Sequence, residues 1–338
     1  MKYLARSTFS LLVGASLLAA ACAQDKPRGG LVISIDSNVS VPKDINGLGL
    51  AVAVAGQVKF SYVYGVSPDG KVTLPATLVL EEPLGGGAPP VNVRITAFKG
   101  GQARIVRDAI TTIPHTRVAS MRLQLSVLGL DDGVTGTIDP NNVERILDPS
   151  QPATLTTTIH LDDTIRPEDT TGSFDPFMTI SSKCSLAANQ GDIDGLCQDA
   201  TIDSATLPDY VPIAAGAKAP CFDVGGCFSA AKQVTLGPGC TFPFTGDAST
   251  LNVALLTKGA GFLTSLGYLA PLDNDPVHGF AVSNGVVTLP KGVCANNPNV
   301  RGVVIQTNGC TAKSAGIPLL GAGASCSFTG ADGGTPGP

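Results

Sequence analysis

The sequence predicts an all-β protein in two parts, an N-terminal immunoglobulin-like or transthyretin-like β-sandwich followed by a disulfide-stabilised β-rich domain. Three observations carry that prediction. Apolar and polar residues alternate with a period of two over much of residues 31–128, as half-buried strands require. The 40 glycines and 25 prolines call for frequent tight turns, which suit short strands better than long helices. Cysteine is confined: apart from Cys22, every cysteine lies between Cys184 and Cys326, so the two parts are built differently.

Residues 1–22 read as an export signal. Lys2 and Arg6 form a basic leader, the apolar run that follows is too short for a permanent bilayer span, and small residues stand at its end. The ending Leu18-Ala19-Ala20-Ala21-Cys22 resembles a bacterial lipobox, in which Cys22 is acylated and becomes the new amino terminus. The match departs from the usual pattern in having Ala19, not leucine, three residues before the cysteine. Ordinary secretion with cleavage before Gln24 also fits, through the small-x-small ending Ala21-Cys22-Ala23. Lipidation is the preferred reading, because cysteine directly after an apolar run is otherwise uncommon. Residues 23–30 form a short polar linker, so a lipidated chain sits close to its membrane.

Residues 31–163 make the expected sandwich with its connector. Its strands are placed at 31–35, 48–54, 58–64, 72–80, 91–98, 103–107 and 118–128. In the fifth, Val91, Val93, Ile95 and Ala97 face inward while Asn92, Arg94 and Thr96 face water. The last repeats that pattern, with Met121, Leu123, Leu125 and Val127 inward and Arg122, Gln124 and Ser126 outward. Asp69-Gly70 and Gly100-Gly101 supply the positive-φ residues that hairpins need, and Pro75 marks an edge or a bulge. Residues 129–171 are rich in Asp, Pro and Gly and read as the connector, with one further strand placed at 154–161.

Residues 164–328 make the second domain, with short strands expected at 233–236, 251–256, 280–283, 286–289 and 301–306. Asn284-Gly285 is a strong two-residue hairpin signal between two of them. Residues 329–338 read as a disordered tail. Once Cys22 leaves the thiol pool, an even set of cysteines remains in an oxidising compartment, so a disulfide framework is expected. Spacing alone does not choose the pairs. A preference for short loops gives Cys184–Cys197, Cys221–Cys227, Cys310–Cys326 and, by remainder, Cys240–Cys294.

Composition excludes some functions. Only 14% of residues are charged against 43% apolar, so a large core can be buried. A net charge of −5 without a basic run leaves no surface to neutralise phosphates, and nucleic acid is not an expected partner. No CxxC pair occurs, and His115, His160 and His278 are far apart, so zinc-type spacing is missing. The sequence contains no GxSxG elbow, HExxH, P-loop or GxGxxG after a strand. Asp131-Asp132 and Asp162-Asp163 read as solvated turns. Gly191-Asp192-Ile193-Asp194-Gly195 resembles the opening of a calcium loop, but the distal ligands are not at the required spacing, and a disulfide-closed turn is preferred. Leu272-Asp273-Asn274-Asp275-Pro276, near His278, reads as an acidic surface loop. Phe60, Tyr62 and Tyr64 alternate along one strand and are read as core, with an exposed ligand platform as the rival.

Several segments, in their order, resemble a family of uncharacterised predicted lipoproteins of myxobacteria and related soil bacteria. They are Val41-Pro42-Lys43-Asp44-Ile45, residues 111–123 (TTIPHTRVASMRL), 205–210 (ATLPDY), 221–228 (CFDVGGCF), 270–275 (APLDND) and 287–294 (VTLPKGVC). The resemblance implies an exported two-part β protein and carries no established activity. Relatives of this kind have further cysteines near 185–194 and 262–269, where this chain has none, so their disulfide pattern is not carried over whole.

The resulting expectation is an envelope-anchored lipoprotein acting as a non-catalytic binding or structural module. Its expected partners are the membrane, through the N-terminal lipid, and a protein or polysaccharide of the envelope; no cofactor or metal is expected. The alternative is a secreted or surface hydrolase whose active site is assembled from distant residues.

Overall fold

The structure, a computed structural model, describes residues 28–55, 57–67, 72–82, 88–100, 102–129, 158–160, 200–212, 221–276, 279–294, 299–307, 310–314 and 319–320. Among them it is mostly β, with two one-turn α-helices. The expectations placed on Cys22, on the Asp69-Gly70 turn, on Asp131-Asp132 and Asp162-Asp163, on the 191–195 loop, on Cys184, Cys197 and Cys326, on His278 and on the tail lie outside the described residues.

In the first half the strands are β1 (Gly30–Ser37), β2 (Gly47–Val54), β3 (Gln57–Gly65), β4 (Ala76–Glu81), β5 (Val91–Lys99), β6 (Gln102–Thr111) and β7 (Val118–Leu125). Two short strands follow, β8 (Thr158–His160) and β9 (Ala200–Thr201). They form two sheets, ordered β7-β1-β4-β8 and β3-β2-β5-β6-β9. β1 lies antiparallel to β4 but parallel to β7, so the first and last of the seven long strands are neighbours. Inward residues of both sheets fill one buried cluster: Leu31, Ile33 and Ile35 of β1, Leu78 and Leu80 of β4, and Leu48, Leu50, Val93 and Ile95 of the facing sheet. Each such side chain contributes about 1.5–3 kcal/mol relative to exposure. β4 begins only at Ala76, after Pro75, because proline has no amide to donate to a ladder; upstream, Val72 makes only an isolated bridge with Val66. At the β5–β6 turn, Gly100 adopts φ +57° and donates its amide to Asn46 Oδ1 (3.0 Å).

The second half contains β10 (Phe222–Asp223), α1 (Val224–Cys227), β11 (Lys232–Val234), β12 (Thr241–Pro243), β13 (Leu251–Thr257), β14 (Phe262–Thr264) and β15 (Gly267–Leu272). Then come β16 (Ala281–Ser283), β17 (Val286–Thr288), α2 (Lys291–Cys294), β18 (Val300–Thr307) and β19 (Leu319–Leu320). The sheets are β11-β18-β13-β15-β14, β12-β17-β16 and the parallel pair β10-β19. Asn284 and Gly285, both at positive φ, turn β16 into β17 with Ser283 opposite Val286, the hairpin the dipeptide predicts. β13 is apolar on both faces because both are covered. Leu251, Val253 and Leu255 join the main cluster, which runs unbroken from the sandwich into this half. Ala254 faces the other way, into a smaller cluster with Phe222, Val224, Phe228, Phe262, Leu269 and Val304.

Two disulfides join described residues of this half. Cys240 is joined to Cys294, with Cα atoms 5.7 Å apart, as the remainder argument has it. Cys227 is joined to Cys310, Cα atoms 5.5 Å apart, in place of the expected Cys221–Cys227 and Cys310–Cys326 pairs. The reason is tertiary. Asp223 caps α1 by accepting from Gly226 N (3.1 Å), and the helix turns Cys227 into the smaller cluster, where Cys310 packs after β18. Cys221, outside that turn, is disulfide-bonded elsewhere.

Candidate functional site

The most unusual chemistry in the described chain is a buried cluster of charges where the two halves meet. The parallel register of β1 and β7 puts Ser34 beside Arg122 and Asp36 beside Gln124. On each strand these residues point away from the sandwich core, since strand side chains alternate. The outward face was expected to be wet. Instead Gln124 and Ser126 are buried, and the Arg122 side chain is only 12% exposed. The second half covers this face, and with it the polar row becomes interior.

Across the junction stands Asp273, which follows β15 and is 0% exposed. This corrects the surface reading of the acidic 272–276 turn. Asp273 Oδ2 accepts from Gln124 Nε2 (2.9 Å) and from Arg122 Nη2, while its Oδ1 is ion-paired with Lys313 Nζ. Arg122 also donates through Nε to Asp36 Oδ2 (2.7 Å) and lies 3.4 Å from Asp275 Oδ2 through Nη1. Lys313 is held by its backbone, whose amide donates to Asn252 Oδ1 (2.8 Å) and whose carbonyl accepts from Asn274 N (2.9 Å). Gly279 presses against Asp273; a Cβ there would lie 1.9 Å from the Asp273 carbonyl oxygen, so only glycine permits the approach.

The electrostatics follow from burial. Removal from water pushes the Asp36 carboxyl above its ordinary value; Arg122 opposes that rise and the Asp273 charge adds to it. Asp36 Oδ1 is buried with no hydrogen-bond partner. For Arg122, burial works against the charged form, but the Asp36 and Asp273 carboxylates outweigh it and hold the guanidinium above its usual value.

A second junction lies near the residue 40–44 turn. Lys43 Nζ donates to Gly259 O (2.5 Å) and sits 4.7 Å from the centre of the Tyr268 ring. Asp44 Oδ2 accepts from Ser40 N (2.8 Å) and from Gly261 N (2.7 Å), where Gly261 adopts φ +90°. A third polar set ties residues 200–212 across the edges of both sandwich sheets. Ile202 N donates to Ile110 O (2.8 Å), Ser120 N to Pro208 O (2.8 Å) and Arg117 Nη1 to Asp209 Oδ1 (2.7 Å).

Other sequence candidates are placed as follows. His115 is exposed and paired through Nδ1 with Glu82 Oε1. His160 lies in β8 opposite Glu81. Tyr64 is buried and Phe60 and Tyr62 are half-buried against the main cluster, so the strand's aromatics are core; the Tyr62 and Tyr64 rings lie 4.7 Å apart. Burial raises the Tyr64 hydroxyl pKa well above its ordinary value. No group of three or more His, Cys, Asp or Glu residues among the described residues could hold a metal ion. No helix among them is long and apolar enough to cross a membrane. Sequence reasoning missed Asp36, Asn252 and Lys313, and assigned Arg122 and Gln124 to solvent. The available signal was Asp36 itself, a carboxylate in the otherwise weakly polar strand LVISIDS. Compared with protein families, curated proteins and solved structures, the chain has no match.

Proposed function

We propose that the protein is an exported module anchored to a bacterial envelope membrane by lipid on Cys22, and that it binds a protein or polysaccharide partner instead of catalysing a reaction. The apolar leader ending at Cys22 and the six segments resembling envelope lipoproteins support export and anchoring. The Cys227–Cys310 and Cys240–Cys294 bonds are compatible with an oxidising compartment.

The observation that carries the non-catalytic reading is the enclosure of Asp273. A general base or nucleophile must reach its substrate, and this carboxylate is wholly buried and engaged by Arg122, Gln124 and Lys313. Its place in the molecule is structural. It joins two β halves into a support on which surface loops can be held in fixed positions for recognition.

The test uses the disulfide-intact chain lacking residues 1–22, screened against ester, glycosidic, phosphoester and peptide substrates with and without calcium. The expected result is turnover no greater than that of a reduced, denatured control. Turnover well above that control overturns the reading. Mild crosslinking in intact envelopes followed by pull-down then identifies the partner.

A further inference from the structure

Large apolar side chains are exposed together at one end of the sandwich: Val118 (38%), Tyr210 (37%) and Val211 (78%). They are brought together by pairing of the 200–212 segment with β7, in which Tyr210 N donates to Val118 O (2.9 Å). Pro208 and Pro212 are exposed beside them. This end is also where the chain enters the fold. Gly30 N donates to Arg117 O (3.1 Å), and Gly30 lies opposite Val118 in the β1–β7 register.

We propose that this end rests on the surface of the lipid bilayer that holds the Cys22 acyl chains, with Tyr210 and Val211 entering the headgroup region. The proposal rests on the lipid-anchor reading given above and deepens it by naming the face turned to the membrane. The tether is short. From Cys22 to Gly30 a fully extended chain covers at most roughly 28 Å, so the Val118–Val211 end is tethered within that distance of the bilayer.

Tyrosine has an apolar ring and a polar tip, the combination that suits a membrane–water interface, and valine adds apolar area beside it. The nearby charges do not oppose such contact. Arg117 is neutralised by Asp209 and His115 is paired with Glu82, while Arg28, exposed at the chain entry, can face lipid phosphate. The patch is too small to anchor a soluble protein. A tether changes that requirement, because the local concentration of bilayer is already high and a weak contact then sets orientation.

The opposite end of the sandwich is occupied. Lys43 and Asp44, beyond the far end of β1, hold the 259–268 region of the second half, and Leu263 pairs with Tyr268 there. Along β1 that end is more than roughly 20 Å from Gly30. The 259–268 region of the second half therefore lies away from the bilayer, where a partner can reach it.

The chain has no tryptophan, so a single one can report its surroundings. Val211→Trp and Leu263→Trp, each in the full lipidated chain, are floated with phosphatidylcholine vesicles carrying plain or brominated acyl chains. The expected result is flotation of both proteins, with blue-shifted emission and roughly twofold or greater quenching by brominated lipid for Val211→Trp only. Flotation with equal quenching at the two positions, or none at 211, overturns the surface and spares the anchor. Shielding of position 211 from iodide in the purified lipidated chain on vesicles, without quenching by brominated lipid, means that a second copy of the chain covers the patch, and likewise overturns it. Failure of the wild-type lipidated chain to float overturns anchor and surface together.

Discussion

Replacing Asp273 with asparagine keeps the shape of the side chain but deletes one charge from a nearly closed interior account. In the native junction Asp36 and Asp273 face Arg122 and Lys313, with Asp275 at the margin. Asp273→Asn leaves Lys313 without its buried counter-ion. Leaving one member of a buried pair uncompensated costs about 3–5 kcal/mol, and the altered acceptor for Gln124 adds about 1 kcal/mol at most. Lys313→Met leaves Asp273 its Arg122 and Gln124 partners but makes Asp36 and Asp273 share the one cation between them, and costs about 3 kcal/mol. The double variant removes one charge of each sign and leaves Asp36 with Arg122, so it is expected to lose no more than about 2 kcal/mol, a coupling of at least about 4 kcal/mol. The assay is urea unfolding of the disulfide-intact chain followed by circular dichroism, in low salt and again in about 0.5 M salt. A buried network keeps its coupling in salt, whereas an exposed pair loses it. Single variants within about 0.5 kcal/mol of wild type, or additive losses in the double variant, refute the reasoning.

Asp36→Asn tests the carboxylate that Arg122 holds through Oδ2 while Oδ1 has no partner. Because burial raises its pKa in the folded state, folding binds a proton more readily, and wild-type stability relative to Asp36→Asn should fall as pH rises from about 4 through the raised folded value; a flat difference in paired unfolding curves between pH 4 and 8 rules this out. Gly279→Ala should destabilise by about 1–3 kcal/mol, since its Cβ would meet the Asp273 carbonyl; an unchanged urea midpoint contradicts the close approach. Non-reducing peptide mapping should recover Cys227 with Cys310, and Cys227→Ala should lower stability by about 4–5 kcal/mol in the chain-entropy account of a separation of 83 residues. Cys22→Ser should move the protein from the membrane to the soluble fraction; retention on membranes, or no fatty-acid label on wild type, removes the anchor.

The strands of the sandwich were legible because a strand with one covered face writes its environment into every second residue. Val91, Val93, Ile95 and Ala97 are all buried as that pattern requires, but Thr96, expected to face water, is buried too, so the outer face of β5 is covered there as well. The β14–β15 hairpin was missed for the opposite reason. In the run FLTSLGYLAPL, Phe262 and Leu269 serve one cluster and Ala270 and Leu272 the other, so apolar residues occur in sequence without alternation, and Ser265-Leu266 is no favoured turn pair. Disulfide pairing was legible only where sequence proximity did not have to decide. Cys240–Cys294 came out by remainder, whereas the short Cys221–Cys227 loop is displaced by α1, whose cap directs Cys227 toward Cys310.

The junction was illegible for a deeper reason. Alternation distinguishes one face of a strand from the other, but it does not distinguish water from another polar surface. Arg122, Gln124 and Ser126 look the same on a wet sheet as on a sheet whose polar row meets Asp273, 149 residues beyond Gln124, and through it Lys313. What separates the cases is charge balance in three dimensions. Arg122 could be buried here because two carboxylates converge on it, one from β1 and one from beyond β15. Neither carboxylate alone, nor any local spacing, reveals that meeting. The junction also has a second point of attachment, at Lys43 and Asp44 on the 259–261 backbone. One polar attachment leaves a body free to swing about it; two, separated along β1 and joined by a continuous apolar cluster, resist rotation as well as separation. The charges spent on the junction thus give the chain one orientation of its second half relative to the Gly30–Val118 end of the sandwich.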